Sequence, residues 1–312
     1  MSSVTRTAGP PSSEVGTSSG PTTQPKARST KGSRVNTTPA QGGSAGTQFL
    51  RRDEGRVAYE VSGEGPLVVC VPGMGELRSV YRYTVPALVA NGFRVASMDL
   101  RGHGDSDASF SSYDDPAAAS DIGALIGHLG GPAVIVGNSM GGAAAVMVAA
   151  ASPELVTGLV LVGPVVREQP TGALTSLLMR LLMGGPWARA AWASYLPKLS
   201  PGRRPEDFAE HRAAIVASMR RPGYTQAFRK TTRTNHAIAE AAISDVRAPA
   251  LVVMGERDPD FRDPAAEARW LSERLNAEVV MVPGAGHYPQ AEYPEIVGPP
   301  VLAFVSRVFK GA

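Results

Sequence analysis

The residues best placed to do chemistry in this chain lie in Gly137-Asn138-Ser139-Met140-Gly141, a Gly-x-Ser-x-Gly pattern centred on a serine. Ala133-Val134-Ile135-Val136 before it are apolar and predict a buried strand, and the small residues from Gly141 to Ala151 predict a helix. A strand that turns at once into a helix forces its central residue into strained backbone geometry. Glycines two positions either side leave room for that turn. The serine hydroxyl is thereby lifted clear of the sheet, at the positive end of a helix dipole. Nucleophilic attack is the chemistry that such a placement serves.

A serine hydroxyl is a poor nucleophile until a base takes its proton, and the base in turn needs an orienting carboxylate. The chain holds five histidines. His287, in Pro283-Gly284-Ala285-Gly286-His287-Tyr288, follows the last predicted strand, and catalytic groups collect at the carboxyl ends of parallel strands. His103 also follows a strand end and is the competitor, although its glycine- and acid-rich loop reads as structural. His128, His211 and His236 fall on predicted helices and read as surface residues. For the carboxylate, Asp258 is the first to clear the strand that ends at Met254, and Asp260 is its rival. Asp263 before Pro264 has the form of a helix N-cap, and Glu256 is expected to point back toward the sheet edge. Acyl transfer also needs donors for an oxyanion. The backbone N–H of Met140 is one, and that of Met74, in the loop Pro72-Gly73-Met74-Gly75, is the candidate for the second. No metal and no cofactor is called for by this set, and no substrate-binding residue can be assigned from it.

Around these groups the sequence alternates strand and helix patterns. Arg56–Val61 alternates like a strand exposed on one face, and Leu67–Val71 is a continuous apolar run suited to a sheet centre. A helix is expected over Val80–Ala90, a strand over Val95–Asp99, a helix from Asp115 toward Leu129, and a further strand over Leu159–Val162. The alternation stops at Gly163-Pro164. Helices without strands are then expected over Leu174–Met183, Trp187–Leu196, Asp207–Met219 and Tyr224–Ala242. Strands resume at Ala250–Met254 and Val279–Val282 with a helix over Pro264–Leu275 between them, and a last helix covers Ile296–Phe309. This is an α/β chain with a mostly parallel, doubly wound sheet and an inserted helical cap. Its expected organisation is a disordered tail over 1–46, a core over 47–163 and 244–312, and a cap over 164–243.

Bulk properties exclude several classes. The tail holds hardly a large apolar side chain and cannot offset its ordering entropy by burial. Its five basic residues and one acid give +4, and the cap's twelve and five give +7, so a net charge of +3 leaves −8 for the remainder. The basic balance therefore belongs to two segments, and neither zinc-finger spacing nor an aromatic-basic sheet pattern points to nucleic acid. No apolar run approaches the roughly 20 residues of a membrane span, and the N-terminus lacks the apolar run of a signal peptide, so a cytoplasmic location is expected. The single cysteine, Cys70, sits in a strand pattern and reads as a packing residue. Cap residues Leu177, Leu178, Leu181, Leu182, Met183, Trp187, Trp192 and Tyr195 could line an acyl pocket or bind cap to core. Arg203, Arg204, Arg220 and Arg221 could form a basic rim for anionic substrates.

Over residues of about 50–310 the sequence resembles an α/β-hydrolase-fold serine hydrolase of the esterase- and lipase-like group with a helical cap. The likeness rests on Gly137-Asn138-Ser139-Met140-Gly141, Asp99-Leu100-Arg101-Gly102-His103-Gly104-Asp105-Ser106, Gly255-Glu256-Arg257-Asp258 and Gly286-His287. The chain order Ser139, Asp258, His287 is the order of that fold. The resemblance implies a cofactor-independent hydrolase cleaving a carboxylic ester, lactone or thioester of a small-molecule acyl substrate, with Ser139, His287 and Asp258 as triad. Alternatives within the resemblance are a C–C bond hydrolase of aromatic catabolism, whose nucleophile motif resembles Gly-Asn-Ser-Met-Gly-Gly, and a non-catalytic ligand-binding protein on the same fold. Two features depart from the pattern. Pro72-Gly73 stands where His-Gly is usual, and the longer polar oxyanion loop of the C–C hydrolases is not found after Met74. A serine at position 139 also argues against epoxide opening and dehalogenation, which use an aspartate there.

Overall fold

The structure is a computed structural model that describes residues 45–168, 178 and 181–311. Eight strands form one sheet: β1 (Ala45–Arg52), β2 (Gly55–Ser62), β3 (Leu67–Val71), β4 (Arg94–Met98), β5 (Ala133–Asn138), β6 (Val156–Val162), β7 (Ala250–Gly255) and β8 (Glu278–Val282), in spatial order β1-β2-β4-β3-β5-β6-β7-β8. The pairs β1–β2 and β2–β4 are antiparallel, and all the others are parallel. The apolar runs β3, β5 and β7 are buried along their whole length, as strands covered on both faces must be.

Successive side chains point to opposite faces of a strand, and β3 divides accordingly. Leu67, Val69 and Val71 join a core with Ile122, Leu125 and Ala144, from helices α2 (Asp115–His128) and α3 (Met140–Ala151). Val68 and Cys70 join the opposite core with Leu88 of α1 (Thr84–Val89) and with Val301 and Phe304 of the C-terminal helix Pro294–Gly311. Cys70 is a buried packing residue, and desolvation holds its thiol well above the ordinary range.

Between β6 and β7 the chain forms α4 (Ala188–Leu199), α5 (Phe208–Met219), α6 (Tyr224–Thr231) and α7 (Ala237–Ala242), with residues 181–184 also helical. Helix α8 (Pro264–Leu275) follows β7, and α9 is the C-terminal helix Pro294–Gly311, preceded by a short turn at Pro289–Glu292. Among the described residues no helix is long and apolar enough to cross a membrane.

Three elements differ from the sequence expectation. Strand β1 begins at Ala45, inside the stretch read as tail, and pairs with β2; its alternation is carried by small and polar residues that give no apolar period. The helix expected over Val80–Ala90 is a 3₁₀ turn, Arg78–Tyr81, followed by α1, since Pro86 cannot donate to the carbonyl of Arg82 and extend one helix through both. The helix expected over Tyr224–Ala242 is two. Thr231 and Thr232 hydroxyls bond back to the carbonyls of Ala227 and Arg229, and Asn235 caps the N–H of Ala237, which ends α6 and restarts the chain as α7. The expectations for residues 1–44, and those for 169–177 including Leu177, lie outside the described residues.

Candidate active site

Ser139 stands between β5 and α3 at φ 53° and ψ −121°, a conformation that a residue with a side chain adopts only where its surroundings impose it. The surroundings are steric. A Cβ on Gly137 would lie 2.5 Å from the carbonyl oxygen of Gly141, and one on Gly141 would lie 2.5 Å from that of Val71. The glycines thus let strand, turn and helix close on one another, and the Ser139 N–H is fixed by the carbonyl of Val162 at 3.0 Å.

His287 is held from every side. Its Nδ1 lies 2.7 Å from Oδ2 of Asp258, which sits in the loop after β7 and is buried. Glu292 accepts the N–H of Gly286 at 2.8 Å and that of Tyr288 at 3.0 Å, bracketing the histidine. The His287 N–H donates to the carbonyl of Leu199 at the end of α4, and its own carbonyl accepts from Nδ2 of Asn138 at 3.1 Å. Asn138 donates with the same group to the carbonyl of Val162 at 2.8 Å, so the residue preceding Ser139 ties the histidine loop to the strand edge.

The other ring nitrogen faces a second carboxylate. Nε2 of His287 is 3.5 Å from Oδ2 of Asp260, whose Oδ1 accepts from the Tyr195 hydroxyl of α4 at 2.8 Å. Burial pulls the imidazole toward lower pKa, but Asp258 and Asp260 outweigh it and raise the group to about 9. Burial raises the carboxyl of Asp260, with His287 opposing and Asp258 adding to the rise. Burial also raises Glu292 to about 7, against the two backbone donors. Among the described residues, Asp258, Asp260 and His287 are the cluster whose ligand-type atoms fall within 4.8 Å of one another. Ser139 Oγ makes no hydrogen bond to His287 or to any other described residue.

The loop Pro72–Glu76 passes directly over the serine: a Cβ on Gly73 would lie 2.7 Å from Ser139 Cβ. Gly75 is clamped at both ends of its peptide units, its N–H donating to His103 Nε2 and its carbonyl accepting from Trp192 Nε1, each at 2.9 Å. His103 is buried and engages the Arg101 carbonyl through Nδ1 at 2.8 Å, which fixes it as an acceptor at Nε2. The N–H groups of Met74 and Met140 donate to no acceptor among the described residues, and both residues line the same cavity as Ser139.

That cavity has a volume of about 910 Å³ and lies between the sheet's carboxyl edge and a roof made by α4, the residues just before it and the turn Thr232–His236 that joins α6 to α7. Ser139, Met74, Met140, Asp260 and His287 form part of its wall, with Trp192, Tyr195 and Trp187 from the helical segment. Asp258 stands behind His287, out of the cavity lining. Leu181 and Met183 line it too, and Leu178, Leu181 and Leu182 are all exposed. The sequence singled out His211 and His236 as surface residues. Both are largely buried and tie the helical segment to the core: His211 Nε2 lies 2.7 Å from Oε1 of Glu76, and His236 Nδ1 lies 2.7 Å from Oδ2 of Asp115. Sequence periodicity puts them on helices and cannot show that the helices fold back over the sheet.

Sheet order, crossover pattern and elbow define an α/β-hydrolase architecture. A family model described as "Alpha/beta hydrolase family" matches residues 68–298, and the chain belongs to that family. It is 31% identical over 275 residues to a 2-(acetamidomethylene)succinate hydrolase from Mesorhizobium japonicum, covering 84% of this chain and 97% of the relative. A pimeloyl-[acyl-carrier protein] methyl ester esterase from Nitrosomonas europaea is 28% identical, over 77% of this chain and 95% of its own length. Among solved structures, a thermophilic esterase from Thermogutta terrifontis in a malate-bound form superposes with a TM-score of 0.71 at 25% identity, covering 85% of this chain and 99% of the other.

Proposed function

We propose that the protein is a serine hydrolase that cleaves a carboxylic ester, lactone or thioester of a small molecule through a covalent acyl-enzyme. The observation that carries this is the pairing of Asp258 with His287 Nδ1 at 2.7 Å while Ser139, on its strained turn, lines the same cavity as the opposite ring nitrogen. Oγ of Ser139 attacks the carbonyl carbon as His287 Nε2 takes its proton, and Asp258 accepts the Nδ1–H and stabilises the imidazolium that forms. The N–H groups of Met74 and Met140 receive the oxyanion. Collapse of the tetrahedral species breaks the bond to the leaving group, which departs with the proton from Nε2. Water then repeats the sequence with His287 as base, releasing the acid and restoring Ser139. The Oγ–Nε2 contact closes as substrate binds, as catalytic hydrogen bonds of this kind commonly do. The helical segment 164–243 acts as a cap that closes the cavity above the serine and shapes its acyl pocket.

The relatives act on an amide-bearing succinate derivative and on a methyl ester, by their names. That range supports hydrolysis at a carbonyl and leaves the acyl group open. The test is an ester panel of graded acyl length assayed with wild-type protein and with Ser139→Ala. The variant is expected to fold and to lose activity by about 10³-fold or more on every substrate the wild type cleaves. A Ser139→Ala protein that keeps most of its turnover contradicts the proposal.

A further inference from the structure

Catalysis by the pair Asp258–His287 needs one carboxylate, at Nδ1. The site has two. Asp260 lies at the opposite nitrogen, the atom that must collect the serine proton and deliver it to the leaving group. Its carboxylate is fixed by the Tyr195 hydroxyl at 2.8 Å and by its own backbone, whose N–H donates to Oδ1 of Asp258 at 3.0 Å. The side chain keeps 28% of its surface open, and Asp260 lines the cavity with Ser139 and His287. Nothing in the acyl-transfer steps uses it. A carboxylate held at this place has a cost, because it competes with Ser139 for Nε2 and disfavours any anionic group brought to the leaving-group position.

We infer that Asp260, positioned by Tyr195, is a recognition site for a hydrogen-bond donor of positive charge on the leaving group, so that the preferred substrates are esters of amino alcohols. The inference rests on the serine-hydrolase reading of the site. The geometry is restrictive: the leaving oxygen must come within hydrogen-bond reach of Nε2, and Oδ2 of Asp260 is 3.5 Å from that same atom. An ammonium two carbons beyond the leaving oxygen therefore falls within reach of the carboxylate. Its N–H gives Asp260 a partner and leaves Nε2 to Ser139, so binding the right substrate also completes the nucleophile–base pair. Arg233 and Glu168 line the same cavity, and Arg233 is the group that would favour the opposite charge.

Three butyrate esters of nearly equal shape separate the cases: 2-(dimethylamino)ethyl, protonated at neutral pH; 3-methylbutyl, neutral; and 2-carboxyethyl, anionic. The wild type is expected to rank them in that order by kcat/KM, with about tenfold between neighbours, the scale of one charge-assisted hydrogen bond. Asp260→Asn is expected to compress both ratios toward one, a change that a merely structural contact to Tyr195 would not produce. A choline ester, charged but without an N–H, is expected to fall between the dimethylamino and neutral esters. A wild type that shows no preference for the ammonium ester, or prefers the carboxylate, overturns the inference, as do ratios that survive Asp260→Asn. Labelling of Ser139 by a fluorophosphonate in the same preparations tells the two failures apart. With Ser139 labelled and the ratios flat, only the Asp260 site is wrong. With Ser139 unlabelled and no ester cleaved, both readings fall.

Discussion

In the proposed mechanism, the state of His287 governs when Ser139 can react. With two carboxylates against its ring, the imidazole titrates at about 9, well above the ordinary 6.5. An imidazolium cannot accept the serine proton, so the base form becomes populated as pH rises through that value. For a small neutral ester, kcat/KM is expected to climb with pH up to about 9 and then level off. Asp260→Asn takes away one of the two charges that raise the group, so the acidic limb should move to lower pH. A limb that stays in place on that substitution would show that Asp260 does not act on the ring. The sequence narrowed the carboxylate to Asp258 and Asp260, two residues apart in one loop, and no spacing rule says which ring nitrogen each will meet. The roles of Asn138 and Glu292 were not legible for a related reason. Both act on the backbone of the histidine loop, and a side chain that bonds to peptide groups from a distance leaves no motif of its own.

At the scale of elements, the loop Pro72–Glu76 is where two parts of the chain meet over Ser139. Its Gly75 peptide is gripped by His103 from the core and by Trp192 from α4. The first bond fixes the Met74–Gly75 peptide and the second the Gly75–Glu76 peptide, which together hold the turn that orients the Met74 N–H. Trp192→Phe keeps an aromatic ring and removes the Nε1–H. It is expected to lower kcat about tenfold, with little change in KM, as one neutral bond's worth of positioning is lost. A change confined to KM would mean that Trp192 serves only to line the cavity. The strands were the most legible elements, because β3, β5, β6 and β7 each carry a continuous apolar stretch of four or more residues, which a covered sheet buries. Strand β1 and the interruption between α6 and α7 were not, because both depend on hydrogen bonds that compete with a local preference. His103, in the same loop family as the sheet's carboxyl-end residues, was weighed as a rival base. Its bonds to Gly75 and Arg101 explain why a buried histidine belongs there without taking a proton from serine.

Across the whole molecule, the segment between β6 and β7 is anchored to the core by polar contacts spread along its length. Arg82 bonds Asp207, Glu76 bonds His211, Arg167 bonds Glu267, and Arg203 bonds Glu295. Part of the positive balance of the segment is therefore engaged in docking. The most buried of these anchors is Asp115, whose carboxylate takes His236 at 2.7 Å and Thr234 at 3.0 Å. Asp115→Ala strips both partners and is expected to cost about 2 kcal/mol, or roughly 5 °C in Tm, without splitting the unfolding into two steps. A calorimetric trace with a separate low-temperature transition would show instead that the segment unfolds on its own.

Covalent labelling reads most directly whether Ser139 is a nucleophile activated by His287. Wild-type protein treated with a fluorophosphonate and digested should carry the added phosphonyl mass on the peptide that holds Ser139. The rate of labelling should follow the same rise with pH toward about 9 as ester hydrolysis, because both wait on the same imidazole. His287→Ala should label at least about 10³-fold more slowly. An active preparation in which that peptide stays unmodified, or in which labelling is indifferent to the loss of His287, would contradict a Ser139 nucleophile activated by His287.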